Sequence, residues 1–316
     1  MCAVFGYLDY KGKVSNAILK NLIQNLSIAA EVRGTDATGI SYVNHEKVVT
    51  FKKAKPAHKV KLYFPKNTRA VIGHTRMTTQ GSEKYNHNNH PFDGRCGTET
   101  FALAHNGVLY NDAELKTKYH LPKTQIETDS YVAVQLLEQE KQLHAESIKR
   151  MAESVEGSFV FTILRNDNTL FLVKGNNPLT IYHFSKLGIY VYASTKSILD
   201  NALQQVNLSD KCCEIDVSEG EIVEIAANGK RSKTTFAMQN SVFSPYNWDN
   251  LNWYETEEQE ECLLECCQMF GVPEEDVYLL LDYGFSADEI EEMLMNPCLL
   301  EDALTEISVL EQEDAE

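Results

Sequence analysis

The stretch MCAVFGYLDY (residues 1–10) places a cysteine directly behind the initiator methionine and then runs into apolar residues. The run is short, partly β-branched and aromatic, and lacks helical spacing, so it reads as a strand. Cys2 is then open to two readings. It is a small hydrophobe starting a buried strand or, once Met1 is trimmed, a nucleophile. A thiol with a pKa of about 8.5 is mostly protonated at neutral pH and needs a base. A cysteine at a free N-terminus carries one on its own Cα, an α-amine of pKa about 7.7–8.0. That value suits a group that must take a proton and return it. On its own, Cys2 reads as the buried strand residue, and the nucleophile reading needs corroboration.

Composition narrows the setting. The chain has 316 residues, 43% hydrophobic and 24% charged, enough for one large domain or a domain with an appendage. Its net charge of −17 is unevenly placed. After Lys233 there are 22 Asp and Glu and no Lys or Arg, which leaves 24 acids against 29 bases before it. An acidic segment behind a near-neutral body repels nucleic acid and anionic membranes, so neither is expected as a partner. The charge break implies a body over 1–235, a linker over 236–254 and an acidic helical module over 255–316. No signal-type N-terminus and no membrane-length apolar run is present. The eight cysteines form no C-x-x-C pair, and a cytoplasmic protein with reduced thiols is expected.

Along the body, SNAILKNLIQNLSIAAEV (15–32) has helical spacing behind a Ser cap. GISYVN and KVVTFKKA read as a hairpin, and RAVIGHTR and FALAHNGVL as strands with polar residues at their C-terminal ends. The 24 residues from Met77 to Thr100 read as one long polar loop, which in a compact domain is functional or disordered. Two helices near 129–155, four β-rich runs over 157–194, a helix at 195–205 and strands from Cys212 to Ile225 complete the body. Strands and helices come in blocks, without βαβ alternation, which favours an α+β layered fold. In the acidic segment, Pro273 suits a first helical turn, Gly284 a C-terminal cap, and Ser286 with Glu289 a capping box before Pro297.

Four further stretches bear on Cys2: RGTDATG (33–39), GHTRMTTQG (73–81), LAHNGVLYN (103–111) and ETDSYV (127–132). Together with the N-terminal cysteine, in this order, they resemble the signature of class II glutamine amidotransferases, whose catalytic domain belongs to the N-terminal nucleophile hydrolases. The resemblance covers roughly residues 2–230 and implies a four-layer αββα sandwich. It implies Cys2 as nucleophile, with the Asn106 side-chain amide and the Gly107 N–H as the oxyanion hole. It assigns Arg76 to the α-carboxylate of L-glutamine and Asp129 to its α-ammonium, Asp129 doubling as a helix cap. Thr79, Gln80 and Gly81 would line the glutamine pocket through backbone, and Arg33 and His74 would play supporting parts. The chemistry of these residue types agrees: a tetrahedral oxyanion needs preorganised donors, and an Arg fork suits a carboxylate. Taken singly, Asn-Gly reads first as a tight turn, and Arg76 and Asp129 read as an ion pair and a helix cap.

No cofactor or metal is implied. His87 and His90 lie three apart without an evident third ligand. Ala3 stands where the family usually has Gly; Met77 and Gln80 stand where the glucosamine-phosphate enzymes have Trp and His, which leaves ammonia channelling open. The stretch after the body is too short for a synthase domain. The leading expectation is therefore a glutaminase component that passes ammonia to a separate synthase partner. Two alternatives remain, a γ-glutamyl amide hydrolase without acceptor and an inert scaffold acting through its acidic tail. Self-association into a homo-oligomer is left open.

Overall fold

The computed structural model describes residues 2–206, 208, 210–238, 263–264, 267–268, 272–283, 285, 290, 293–294, 299–300, 303–305 and 307. The chain divides into two compact units, Met1–Ser244 and Pro245–Glu316.

The first unit is built on two antiparallel sheets. In the first, β1 (Ala3–Asp9) lies centrally between β4 (Ala70–Arg76) and β10 (Ile189–Ala193). Beyond β4 come β2 (Ala37–Asn44) and β3 (Lys47–Lys53); beyond β10 come β9 (Thr180–Phe184) and β11 (Cys212–Glu214). The second sheet runs β13 (Arg231–Thr235), β12 (Glu221–Ile225), β8 (Leu170–Lys174), β7 (Gly157–Arg165), β6 (Glu99–Leu109), β5 (Phe92–Cys96).

Every residue of β1 is buried because both faces of its sheet are covered. Strand alternation sorts them. Ala3, Phe5 and Tyr7 pack with helices α1 (Asn16–Ala29) and α5 (Lys196–Gln204), whereas Val4 and Leu8 meet Ala102, Ala104, Val160 and Leu164 of the other sheet. The Phe5 ring occupies the space a Cβ at Gly73 would need, 2.2 Å from it. Truncating so enclosed a ring costs about 3–5 kcal/mol. On the far side, Phe101, Leu103, Phe159 and Phe161 pack with α2 (Asp112–Lys118), α3 (Tyr131–Glu138) and α4 (Ala145–Ser154). The layers are thus helix, sheet, sheet, helix, the αββα sandwich. Helix α1 begins as its sequence implies, with Ser15 Oγ accepting from the Ile18 N–H at 3.3 Å.

Three expectations need correction. The polar stretch 77–100 is not one loop: it ends in edge strand β5, whose Phe92, Gly94 and Cys96 face inward while Asp93 and Arg95 face out. Its alternation is hidden because one inward residue is a glycine, placed where the Phe101 ring passes 2.3 Å from a would-be Cβ. RGTDATG is a turn only as far as Asp36, since Ala37 already starts β2. Asp129 does not cap α3; its N-cap is Ser130, with no side-chain bond, and the Asp129 carboxylate is drawn to the Leu109 N–H instead.

The second unit has α6 (Glu274–Asp282), with Pro273 at its N-cap and Glu274, Glu275 and Asp276 in the first turn, where the helix dipole favours anions. Its apolar core includes Leu263, Cys267, Val277, Leu280, Ile290 and Leu294. The expected Gly284 cap, the Ser286–Glu289 box, Pro297, Cys262, Cys266, Cys298 and residues 239–254 of the linker lie outside the described residues.

Candidate active site

Antiparallel register brings the site together. Ala3 pairs with Thr75 and Val4 with His74, so one more step sets Cys2 beside Arg76. Alternation turns Cys2, Val4, His74 and Arg76 to the face that meets the second sheet. There β6 presents Ala102, Ala104 and then Asn106 toward them. One bond ties the two sheets at this level: His74 Nε2 donates to the His105 carbonyl at 2.8 Å. A carbonyl only accepts, so His74 carries its proton on Nε2.

The Cys2 thiol is buried and donates to the Met77 carbonyl at 3.4 Å. Burial pushes it above its ordinary value, with the Arg76 charge pulling down and Asp129 pushing up. A thiol held neutral in this way attacks only if a base removes its proton. Arg33 Nε donates to the Cys2 carbonyl at 2.9 Å, fixing the start of β1 from the turn that follows α1.

Asn106 is fully buried, and among the described residues neither its Nδ2 nor its Oδ1 has a partner. Such an orphaned amide costs about 1–3 kcal/mol, and buried polar side chains are normally bonded. Its backbone is secured separately, with Asn177 Nδ2 donating to the Asn106 carbonyl at 2.9 Å. Gly107 follows with φ +143°, and a Cβ there would sit 1.8 Å from the Ser158 carbonyl oxygen. No other residue type fits that position.

Arg76 is 2% exposed, yet its guanidinium forms no salt bridge among the described residues. Nη2 donates to the Gln80 and Gly81 carbonyls at 2.6 and 2.8 Å, and Nη1 to Asn89 Oδ1 at 2.7 Å. That occupies three of five N–H donors. Asp129, equally buried, accepts from Leu109 N–H at 2.6 Å and from Ser130 Oγ at 3.4 Å. Its charge acts on Cys2 and on Arg76, which places the three groups within electrostatic reach of one another. Thr79 and Gln80 are exposed, and Gly81 turns at φ +73° with its carbonyl toward Arg76.

Sequence reasoning missed what holds this loop. Asn88 Oδ1 accepts from the Glu127 N–H at 2.9 Å, while its Nδ2 donates to Glu127 Oε2 at 2.8 Å and the Ser82 carbonyl at 3.1 Å. It named His74 as a supporting residue but not the group of buried imidazoles to which it belongs. His74 stacks on His90 at 4.2 Å, and His90 lies 6.4 Å from His105. Burial pulls all three below the usual histidine range, His74 to about 3. HNNHPF reads as loop because neither asparagine carries an apolar or spacing signal. Among the described residues, no group of three or more His, Cys, Asp or Glu is arranged to hold a metal. No described helix is long and apolar enough to cross a membrane.

Comparison with known proteins bears on the family and the fold. Residues 74–201 match the glutamine amidotransferase domain family. The chain carries a class II glutamine amidotransferase domain. It is 30% identical over 220 residues to glutamine–fructose-6-phosphate aminotransferase (isomerizing) of Bacillus subtilis, covering 67% of this chain and 35% of that protein. It is 29% identical over 246 residues to 7-cyano-7-deazaguanine synthase 2 of Sulfurisphaera tokodaii, covering 74% of this chain and 52% of that protein. The chain therefore spans about half, or less, of the length of these relatives. In fold it resembles the glutamine phosphoribosylpyrophosphate amidotransferase of B. subtilis, with a TM-score of 0.59 at 21% identity, over 75% of this chain and 50% of that one.

Proposed function

We propose that the amidotransferase domain hydrolyses L-glutamine to glutamate and ammonia through Cys2 after removal of Met1. Arg76 receives the α-carboxylate of glutamine with its remaining donors, and Asp129 receives the α-ammonium. Cys2 Sγ attacks the carboxamide carbon as the thiol proton passes to the α-amine of the same residue. The C=O electron pair moves onto oxygen, where the Asn106 Nδ2–H and Gly107 N–H hold it. Collapse breaks the C–N bond, the α-amine returns the proton to the leaving nitrogen, and a γ-glutamyl thioester remains. Water, deprotonated by the same amine, attacks the thioester and releases glutamate and the thiol.

The observation that carries this reading is the buried Asn106 amide, both of whose polar atoms lack a partner among the described residues. A fold tolerates that cost where the donor has a transient acceptor. The raised Cys2 thiol is consistent with it, because a neutral thiol makes the tethered amine necessary. The ammonia, on this reading, passes to a synthase partner, and the acidic unit Pro245–Glu316 is the surface offered for docking. The two relatives named above, in which the matching region is only 35% and 52% of the protein, support an acceptor function working beside such a domain. Incubating the processed protein with L-glutamine tests the reading: glutamate release that Asn106→Ala cuts by about 10²–10³-fold supports it. Absence of release, alone and with candidate synthases, would overturn it.

A further inference from the structure

The chain of bonds behind Arg76 begins outside the residues assigned above. Asn89 is fully buried, and its side chain has one possible orientation. A guanidinium only donates, so the atom facing Arg76 Nη1 at 2.7 Å is the amide oxygen. The amide nitrogen then donates to the Glu83 carbonyl at 2.8 Å. The Asn89 backbone carbonyl is in turn held by Lys52 of β3, whose Nζ donates to it at 2.5 Å and to the Pro91 carbonyl at 3.0 Å. The same ammonium stands 4.8 Å from the centre of the Phe92 ring, and the Lys52 carbonyl accepts from Asn86 Nδ2 at 3.0 Å. A cation is thus spent on two loop carbonyls in a largely buried place, and the group it restrains is the one that orients Arg76.

We infer that Asn89, clamped by Lys52, is a positioning residue that fixes the Arg76 fork and thereby sets the affinity for the substrate's α-carboxylate. This rests on the proposed glutaminase function and on Arg76 as the carboxylate ligand. Without Asn89 Oδ1, one guanidinium donor loses its acceptor in a buried site, and the fork is free to turn toward the Gln80 and Gly81 carbonyls it already bonds. The oxyanion hole and Cys2 make no contact with Asn89 among the described hydrogen bonds, so the chemical step is spared.

The test compares L-glutamine with 4-aminobutanamide, which is glutamine without its α-carboxylate, as substrate or as competitive inhibitor of glutamine turnover. For Asn89→Ala, KM for glutamine rises about tenfold, as loss of one charge-assisted bond implies. The kcat stays within about threefold, and the constant for 4-aminobutanamide does not move. Adding Asn89→Ala to Arg76→Lys raises KM no further than Arg76→Lys alone, because the two act through one contact. Should Asn89→Ala not fold, Lys52→Met carries the same test with a smaller shift of the same sign. Equal losses on both compounds, or an unchanged KM for glutamine, overturn the inference. A wild-type protein that releases no glutamate overturns the proposed function and this inference with it, whereas turnover with an indifferent Asn89 overturns the inference alone.

Discussion

Acid lability follows from the three buried imidazoles. Histidine in an unfolded chain titrates near pH 6.5, whereas burial holds His74, His90 and His105 below that, His74 near 3. Between those limits the unfolded chain binds protons that the folded chain refuses, so stability falls as pH falls. His74, held near 3, removes about 1.4 kcal/mol per pH unit across this window, and His90 and His105 act in the same direction. Two units below pH 6.5 His74 alone removes about 2–3 kcal/mol, a large fraction of the stability of a typical domain. Asp9 and Glu138, which burial raises, bind protons more readily when folded and offset part of it. Asp167 and Glu140, which their arginine partners hold down, add to it. The decisive variant is His90→Phe. Among the described residues neither ring nitrogen of His90 has a partner, and its ring packs between His74 and Phe92. The substitution should therefore leave stability at pH 7–8 unchanged or higher. It should also make the fall toward pH 5 shallower. Urea unfolding followed by circular dichroism at pH 5, 6, 7 and 8 reads both slopes. Parallel slopes for wild type and variant, or a wild type as stable at pH 5 as at pH 7, would refute the reasoning.

Three further outcomes are expected. Asn106→Ala should unfold at the same urea concentration as wild type or a slightly higher one, because it removes two unpaired buried polar atoms, even as glutaminase kcat falls about 10²–10³-fold. Gly107→Ala should lose activity and at least about 1–3 kcal/mol of stability from backbone strain, since its Cβ would strike the Ser158 carbonyl; thermal unfolding measures it. Lys52 is held down to about 8 by burial, against the pull of Asp93, so its charge opposes folding below that pH. Stability should rise by about 1.4 kcal/mol per unit between pH 8 and the ordinary lysine range near 10.4, and Lys52→Met should remove that rise in urea titrations.

The layered fold was legible because its signals are local. Short, mostly apolar runs in VIGHTR and FVFTIL, the Ser15 cap, and strands and helices arriving in blocks each follow from short-range sequence. The residues at the site were legible only as a set. Asn-Gly and a lone Cys2 are each ambiguous, and the register Ala3 with Thr75 is what sets Cys2 next to Arg76. Strand β5 was hidden by its inward glycine, and the Asp129 cap was overridden by a long-range bond to Leu109. Asn88, Asn89, Lys52 and the imidazole group were illegible for a different reason. Their roles depend on partners up to 39 residues away, and polar residues in a loop carry no periodic signal.

Glutamate release by chains differing only at the N-terminus bears most directly on the chemistry. Three preparations, defined by intact mass, are given L-glutamine: one beginning at Cys2, one retaining Met1, and one trimmed but carrying Cys2→Ala. Turnover confined to the first is the expected result, with the thiol and its own amine both required. Comparable turnover in either of the others would contradict the assignment of Cys2 as attacking group and proton carrier.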